Sequence, residues 1–94
     1  MLIIAGKLHL AAEDRDRYLA AVADVTTQAR SAPGCLDFAQ AADTTDPERI
    51  NIYERWESDE DLHRFRTSGG PDLDAPPIRA AEVHKYRIAA VEEP

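Results

Sequence analysis

The chain opens with a short apolar segment, Leu2 to Leu10, which is rich in aliphatic and β-branched residues and reads as a strand. Its even positions include Leu2, Ile4, Leu8 and Leu10. Its odd positions begin with Ile3 and Ala5 and then turn polar at Lys7 and His9. Since alternate side chains of a strand point to opposite faces, the pattern predicts a first strand that is apolar on both faces for much of its length.

The hydrophobic spacing then changes to that of a helix, over about residues 13 to 30. One stripe repeats every three or four residues and contains Tyr18, Val22, Val25 and Ala29, with Leu19 and Thr26 beside them. Acidic residues stand near the start of this segment and Arg30 near its end, the arrangement that the helix dipole favours. Pro33-Gly34 predicts the stop.

Two further strands are predicted as a hairpin. Residues 35 to 40 form the second strand, and the segment Asp43 to Pro47 has the composition of a turn. The third strand has the clearest alternation in the chain. Ile50, Ile52, Glu54 and Trp56 share one face, and Asn51, Tyr53, Arg55 and Glu57 share the other.

The last part of the chain predicts a short helix, a loop and a final strand. Ser58 and Asp61 resemble a capping box that opens a helix through Leu62 and Phe65, which ends at Ser68-Gly69-Gly70. The proline-rich segment Pro71 to Ile78 predicts a loop, either a lid or a surface connection. Alternation from Val83 to Val91 predicts the fourth strand.

Strand, helix, hairpin, helix, strand is the order of a ferredoxin-like α+β fold, βαββαβ, with strands one and three in the middle of a four-stranded antiparallel sheet. We expect one such domain over residues 1–94, since the length allows a single core. Two helices cover only one face of the sheet. The other face retains apolar residues, which predicts a two-fold symmetric homodimer formed through the sheet.

Charge and composition exclude some classes of function. The net charge is −7 and the basic residues are scattered among acidic ones, so no basic stripe is available for nucleic acid. The first ten residues are too short for a membrane helix and lack a charged leader, which predicts no membrane association. Cys35 is the only cysteine, a usage that fits the reducing cytoplasm.

Three segments together resemble the antibiotic biosynthesis monooxygenase family. They are Pro33-Gly34-Cys35-Leu36, the turn at Asp46-Pro47, and Tyr53-Glu54-Arg55-Trp56-Glu57-Ser58 followed by an acidic helix start. The resemblance implies a ferredoxin-like domain that dimerises into an α+β barrel, with a pocket between sheet and helices in each subunit. Similar proteins include oxygenases that use no metal or flavin and act on phenols, quinols or polyketide-like aromatics with O2. Others degrade heme or isomerise lactones, so the resemblance supports the fold more than the reaction.

The face of the third strand that carries Glu54 and Trp56 is the predicted site. A carboxylate in an apolar space has a raised pKa and can accept a phenolic proton, which makes Glu54 the first candidate base. His9 is the second, unless it is only a surface histidine. The predicted substrate-binding residues are Trp56, Ile52, Phe38, Phe65, Tyr86 and His84. The alternative is that Trp56 fills the core and Glu54 holds an amide or a basic side chain. Tyr86 and His84 have an alternative role in packing or dimer contact.

The chain also departs from the family pattern. Tailoring oxygenases that it resembles carry an asparagine where this chain has Ile52, and many relatives have Ser-Pro-His where it reads Ser68-Gly69-Gly70. Heme-degrading relatives need an asparagine on the first strand, which has none here, so heme degradation is not favoured.

Two functions remain open: a cofactor-independent monooxygenase for a small aromatic, and a non-catalytic binding or accessory protein with the same fold. No metal or other cofactor is predicted, because the histidines and the cysteine show no ligand spacing. An open, apolar pocket at Trp56 would favour the enzyme. If Phe38, Phe65 and Leu62 fill that pocket, the enzyme hypothesis loses its site.

Overall fold

The structure is a computed structural model that describes residues 1–68 and 73–94. Its regular elements in chain order are β1 (Leu2–His9), a 3-10 turn (Ala12–Asp14), α1 (Arg15–Arg30), β2 (Cys35–Ala42), β3 (Arg49–Trp56), α2 (Asp59–Thr67) and β4 (Ala80–Arg87). The predicted order of strand, helix, hairpin, helix and strand is confirmed, and the boundaries differ by a few residues.

The four strands form one antiparallel sheet in the order β2-β3-β1-β4. The central pair runs from Leu2 opposite Trp56 to His9 opposite Arg49. The prediction that strands one and three lie in the middle is therefore confirmed, and the fold is ferredoxin-like α+β. In this register Trp56, at the end of β3, lies beside Leu2, at the start of β1.

The helices pack on the face of the sheet that carries the even positions of β1. The buried residues of this face on the central strands are Leu2, Ile4, Leu8, Ile50, Ile52 and Trp56. Ile3 and Ala5 lie on the opposite face, which no helix covers within the described residues, and they are only half-buried. The sequence left the orientation of β1 undecided because both of its faces are apolar. Contact with the helices decides it.

The fourth strand differs from its prediction. It was expected over Val83 to Val91, but it runs from Ala80 to Arg87. The register explains the shift: Ala80 lies opposite His9, and Arg87 lies opposite Leu2, so β4 is as long as its partner β1. The amide of Ile88 still donates to the carbonyl of Met1 at 3.1 Å, and the apolar residues after it continue the alternation in the sequence beyond the end of β1.

The connection from α1 to β2 is a tight turn built around Pro33 and Gly34. The amide of Cys35 donates to the carbonyl of Ala32 across 3.1 Å, and Gly34 has a φ of 80°. Proline followed by a residue of positive φ is the signature of a type II turn. The carbonyl of Gly34 also accepts the amide of Glu57 at 2.8 Å, which ties this turn to the end of β3. The Pro-Gly-Cys segment thus fixes where β2 starts.

The cap of α2 is also confirmed. Ser58 Oγ accepts the amide of Asp61 at 3.1 Å and donates to the Asp61 carboxylate at 2.8 Å. The hairpin turn is held by Asp43, whose carboxylate accepts the amides of Thr45 and Asp46 and the side-chain amide of Asn51. These bonds hold the pKa of Asp43 well below its usual range, with the bond from Asn51 contributing most.

The predicted Pro71 to Ile78 loop lies partly outside the described residues. From residue 73 to residue 78 the chain has no regular secondary structure, and Pro76 is buried. Among the described residues, no helix combines the length and apolar character that crossing a membrane requires.

Candidate functional site

Glu54 and Trp56 form a hydrogen-bonded pair on the helix-facing side of β3. They are two residues apart on a strand, so their side chains emerge from the same face. The indole Nε1 of Trp56 donates to Glu54 Oε1 across 3.0 Å. Trp56 is completely buried. The structure therefore places the two leading sequence candidates in contact.

The surroundings of Glu54 favour its neutral form. Its neighbours across the strands are Ile4 on β1 and Phe38 on β2, both buried. Burial raises the pKa of Glu54, while the bond from Trp56 and the charge of Arg66 act in the opposite direction without cancelling it. A half-buried carboxylate with a raised pKa is a stronger base than an exposed one. The raised pKa agrees with the sequence analysis, and the role of Glu54 as a base stays a prediction.

An aromatic cluster fills the space beside Trp56. The ring of Phe65 lies 5.4 Å from the indole and 6.1 Å from the ring of Phe38, in a tilted and an edge-to-face arrangement. Phe38 and Leu62 are each only 4% exposed. This conformation therefore matches the alternative in which Trp56 fills the core, because Phe38, Phe65 and Leu62 fill the space beside Trp56 where an open pocket would lie.

A cavity of about 230 Å³ lies on the other side of Phe65, between the end of α1 and α2. Its lining residues are Gln28, Ala32, Pro33, Asp61, Arg64, Phe65 and Ser68. We name it the interhelical groove. Its floor is apolar, and its rim carries the ion pair of Arg64 with Asp61 at 3.1 Å. Phe65 lines the groove and also contacts Trp56.

A second cavity, of about 220 Å³, lies between α2 and β4 and is more polar. It is lined by Asp59, Leu62, His63, Arg66 and Lys85. Arg66 links this cavity to the site, since its charge acts on Glu54. Arg66 was not predicted from the sequence. It stands four residues after the buried Leu62, so the two side chains are neighbours on the surface of α2.

The remaining predicted site residues divide between the two faces of the sheet. Ile52 is buried on the face of Glu54. His9 lies on the opposite face, where its Nε2 is 2.9 Å from the Glu82 carboxylate. A single chain therefore does not bring His9 and Glu54 together, because the sheet separates them.

His84 and Tyr86 also lie on the face away from the helices. Their rings contact each other edge to face at 6.4 Å, and Tyr86 is 53% exposed. In the register they stand opposite Ala5 and Ile3 of β1. They line the uncovered face of the sheet rather than the aromatic cluster.

Cys35 is a further residue near the pair that the sequence did not single out for the site. It packs against the aromatic cluster and lies opposite Trp56 in the register. Burial raises the pKa of the Cys35 thiol, and the charge of Glu54 adds to this effect. The thiol is therefore held in its protonated form. No group of three or more histidine, cysteine, aspartate or glutamate side chains in residues 1–68 and 73–94 is placed to hold a metal ion.

The fold and this site define a class: a small ferredoxin-like domain whose two helices enclose a carboxylate and an aromatic cluster against one face of the sheet. The family model for antibiotic biosynthesis monooxygenase matches residues 1–81. The chain belongs to that family. No curated protein matches its sequence significantly.

Solved structures agree with this assignment at the level of the fold. A protein from Deinococcus radiodurans, described as a candidate antibiotic biosynthesis monooxygenase, is 18% identical with a TM-score of 0.81, and the match covers 99% of this chain and 97% of that one. One of the same description from Chloroflexus aurantiacus is 26% identical with a TM-score of 0.68, covering 98% and 96%. The heme-degrader MhuD from Mycobacterium tuberculosis, solved with two hemes in its active site, is 15% identical with a TM-score of 0.73, covering 99% and 100%.

Proposed function

We propose that this protein is a cofactor-independent monooxygenase that oxidises a small phenol, quinol or polyketide-like aromatic with O2. The observation that carries the proposal is the Glu54 carboxylate, half-buried beside aromatic rings and held by the indole of Trp56 at 3.0 Å. Glu54 is the base in this proposal, and Trp56 orients it. The name of the family supports the reaction class, and Glu54 supplies the base with which the reaction would start.

The chemistry needs one group on the protein that takes up a proton and later returns it. Glu54 takes the proton of the substrate hydroxyl, and the phenolate passes one electron to O2, which leaves a phenoxyl radical and superoxide. These two combine to form a carbon–oxygen bond, which gives a peroxide anion. Protonated Glu54 returns its proton to the peroxide, and loss of water, which takes the hydrogen of the oxidised ring carbon, gives a quinone. One atom of O2 enters the product and the other leaves as water. The substrate supplies all the electrons, so the reaction balances without an external reductant.

The aromatic surroundings contribute by keeping water from the phenolate and the radical. Phe38, Phe65 and Trp56 offer ring faces and edges to a flat substrate and exclude water from it. Arg66 lies on the same side of the sheet and acts on the charge of Glu54. Its positive charge would also favour the phenolate over the neutral phenol.

A homodimer through the uncovered face of the sheet is part of the proposal. This face carries Ile3 and Ala5 at its centre, with Tyr53 and Tyr86 in the neighbouring strands. Such a mixture of aliphatic and tyrosine side chains is typical of an interface. The catalytic pair lies on the opposite face, so each subunit would keep its own site. We also propose a cytoplasmic location, on the basis of the single cysteine.

Oxygen consumption with a panel of quinols and naphthols tests the activity. We expect turnover above the uncatalysed rate for at least one substrate, with one labelled atom from 18O2 in the product. Glu54→Gln should lower the rate by about 10²-fold or more, as loss of a general base does. Glu60→Gln is the matched control, because it makes the same change at an exposed position of α2. Equal rates with and without protein, across the whole panel, would contradict the proposal.

A second function is favoured by the filled aromatic cluster. A protein that binds an aromatic compound without oxidising it would need no base and could keep Trp56 packed in its free form. In that case a ligand would bind and Glu54→Gln would change affinity, while oxygen consumption would stay at the background rate.

A further inference from the structure

Phe65 is shared by the interhelical groove and the aromatic cluster around Trp56. Phe65 lines the interhelical groove, and the centre of its ring lies 5.4 Å from the indole of Trp56. Trp56 is completely buried and does not line the groove. A ligand in the groove would therefore be one aromatic ring away from Trp56, whose indole is bonded to Glu54.

Phe65 is also the member of the aromatic cluster with the most freedom to move. Trp56, Phe38 and Leu62 are between 0% and 4% exposed, so displacing any of them disrupts the core. Phe65 is only half-buried, and the groove gives its ring a space to turn into. It stands in the last turn of α2, which ends at Thr67, and helix ends loosen at low cost.

We propose that Phe65 is the gate and the specificity-determining residue of this site: a one- or two-ring planar aromatic with a hydroxyl group enters through the interhelical groove, displaces the Phe65 ring and stacks on Trp56. The proposal rests on the proposed function only in taking Glu54 as the base. The binding step stands on the geometry alone.

The size and lining of the groove set the ligand class. Its volume of about 230 Å³ is below the usual range for ligand pockets, about 300–1,000 Å³, so the groove by itself admits only a small molecule. A planar aromatic restores the ring contacts that Phe65 gives up when it moves, whereas an aliphatic ligand does not. At the rim, the Asp61 carboxylate can accept a hydrogen bond from a ligand hydroxyl, and the Arg64 guanidinium can donate one to a hydroxyl oxygen.

The closed form should then weaken binding. When only a fraction of molecules has the gate open, the apparent affinity falls by that fraction. A gate open about one-tenth of the time makes the apparent dissociation constant about tenfold larger than that of a protein without the gate. Removing the Phe65 ring should recover this factor.

The single tryptophan makes the gate measurable without catalysis. Acrylamide quenching of Trp56 fluorescence reports its exposure, and calorimetric titration with 1-naphthol under argon reports binding. We expect Phe65→Ala to increase the quenching constant severalfold and to tighten 1-naphthol binding about tenfold. Val25→Ala is the matched control: it removes side-chain volume beside the same cluster at a residue that does not line the groove, so it should leave both values near wild type.

Phe65→Leu keeps the position apolar, and it replaces the alanine variant if circular dichroism shows that the alanine variant does not fold. We expect it to increase the quenching constant and to tighten 1-naphthol binding, as Phe65→Ala should. Unchanged quenching and unchanged naphthol affinity in a folded Phe65 variant would overturn the gate, even if the enzyme turned over quinols. A Phe65 effect on naphthol binding with no oxygen consumption would support the gate and reject the monooxygenase.

Discussion

The indole Nε1 of Trp56 donates a hydrogen bond to Glu54 Oε1 across 3.0 Å, and both side chains lie on the face of β3 that the helices cover. The bond gives a buried indole the partner that it needs and gives a half-buried carboxylate one of its acceptor contacts. Because burial raises the pKa of Glu54 while this bond lowers it, the pair sets the proton affinity of the proposed base.

Replacing Trp56 by phenylalanine should destabilise the protein by more than the lost volume, because the Glu54 carboxylate loses its donor. A hydrogen bond to a charged group contributes about 1.5–3 kcal/mol. Urea unfolding of Trp56→Phe, Glu54→Gln and the double variant measures the coupling between the two positions. Additive effects of the two changes, at a pH where Glu54 is ionised, would show that the bond contributes nothing to stability.

The stability of the protein should depend on pH through Glu54. Its pKa is raised in the folded state, so the folded protein binds the proton more tightly than the unfolded chain. The stabilisation from protonated Glu54 is complete below the ordinary pKa of glutamate and is lost as pH rises through the folded pKa. Relative to Glu54→Gln, the wild-type free energy of unfolding should therefore fall with rising pH in that window. A constant difference between the two proteins across it would contradict the shift.

Gly34→Ala should destabilise the protein through the turn before β2. The residue has a φ of 80°, and a Cβ atom built there would come within 2.2 Å of the Asp61 side chain. Backbone strain of this kind costs about 1–3 kcal/mol, and the contact adds to it. Thermal and urea unfolding measure the loss. Gly34→Asn is the control, since asparagine tolerates positive φ but still carries a Cβ; a fully stable Asn variant would show that the Asp61 contact costs nothing.

Ile3→Asp should abolish the proposed dimer. Ile3 lies on the uncovered face, opposite Arg55 on β3 and Tyr86 on β4. A carboxylate buried between two copies of this apolar centre loses its hydration, and pairing with the facing Arg55 does not repay that cost. Sedimentation should show a wild-type mass of twice the 10.4 kDa chain and a monomer for the variant. Ala20→Asp, on the exposed surface of α1, should remain dimeric. A monomeric wild type at micromolar concentration would contradict the interface.

Local sequence patterns predicted most of the fold. The alternation from Ile50 to Trp56 depends only on the strand repeat, and the buried residues of β3 are the ones it assigned to the core. The Ser58 cap and the Asp43 turn were likewise predictable, because each depends on side chains a few residues from the backbone groups that they bind. The end of β4 was not predictable from local sequence. Its length depends on where β1 begins, about eighty residues earlier in the chain.

The candidate site shows the same division. The sequence by itself determined that Glu54 and Trp56 share a face, because a strand alternates its side chains. Only the tertiary structure decided that His9 lies on the other side of the sheet and that Phe65 closes the space over Trp56. The physical reason is that the alternation of side chains along a strand decides which residues share a face, whereas the packing of segments distant in sequence decides what that face contacts. The packing of distant segments is what places Leu2 and Ile4 on the helix-covered face and Phe65 between the interhelical groove and Trp56.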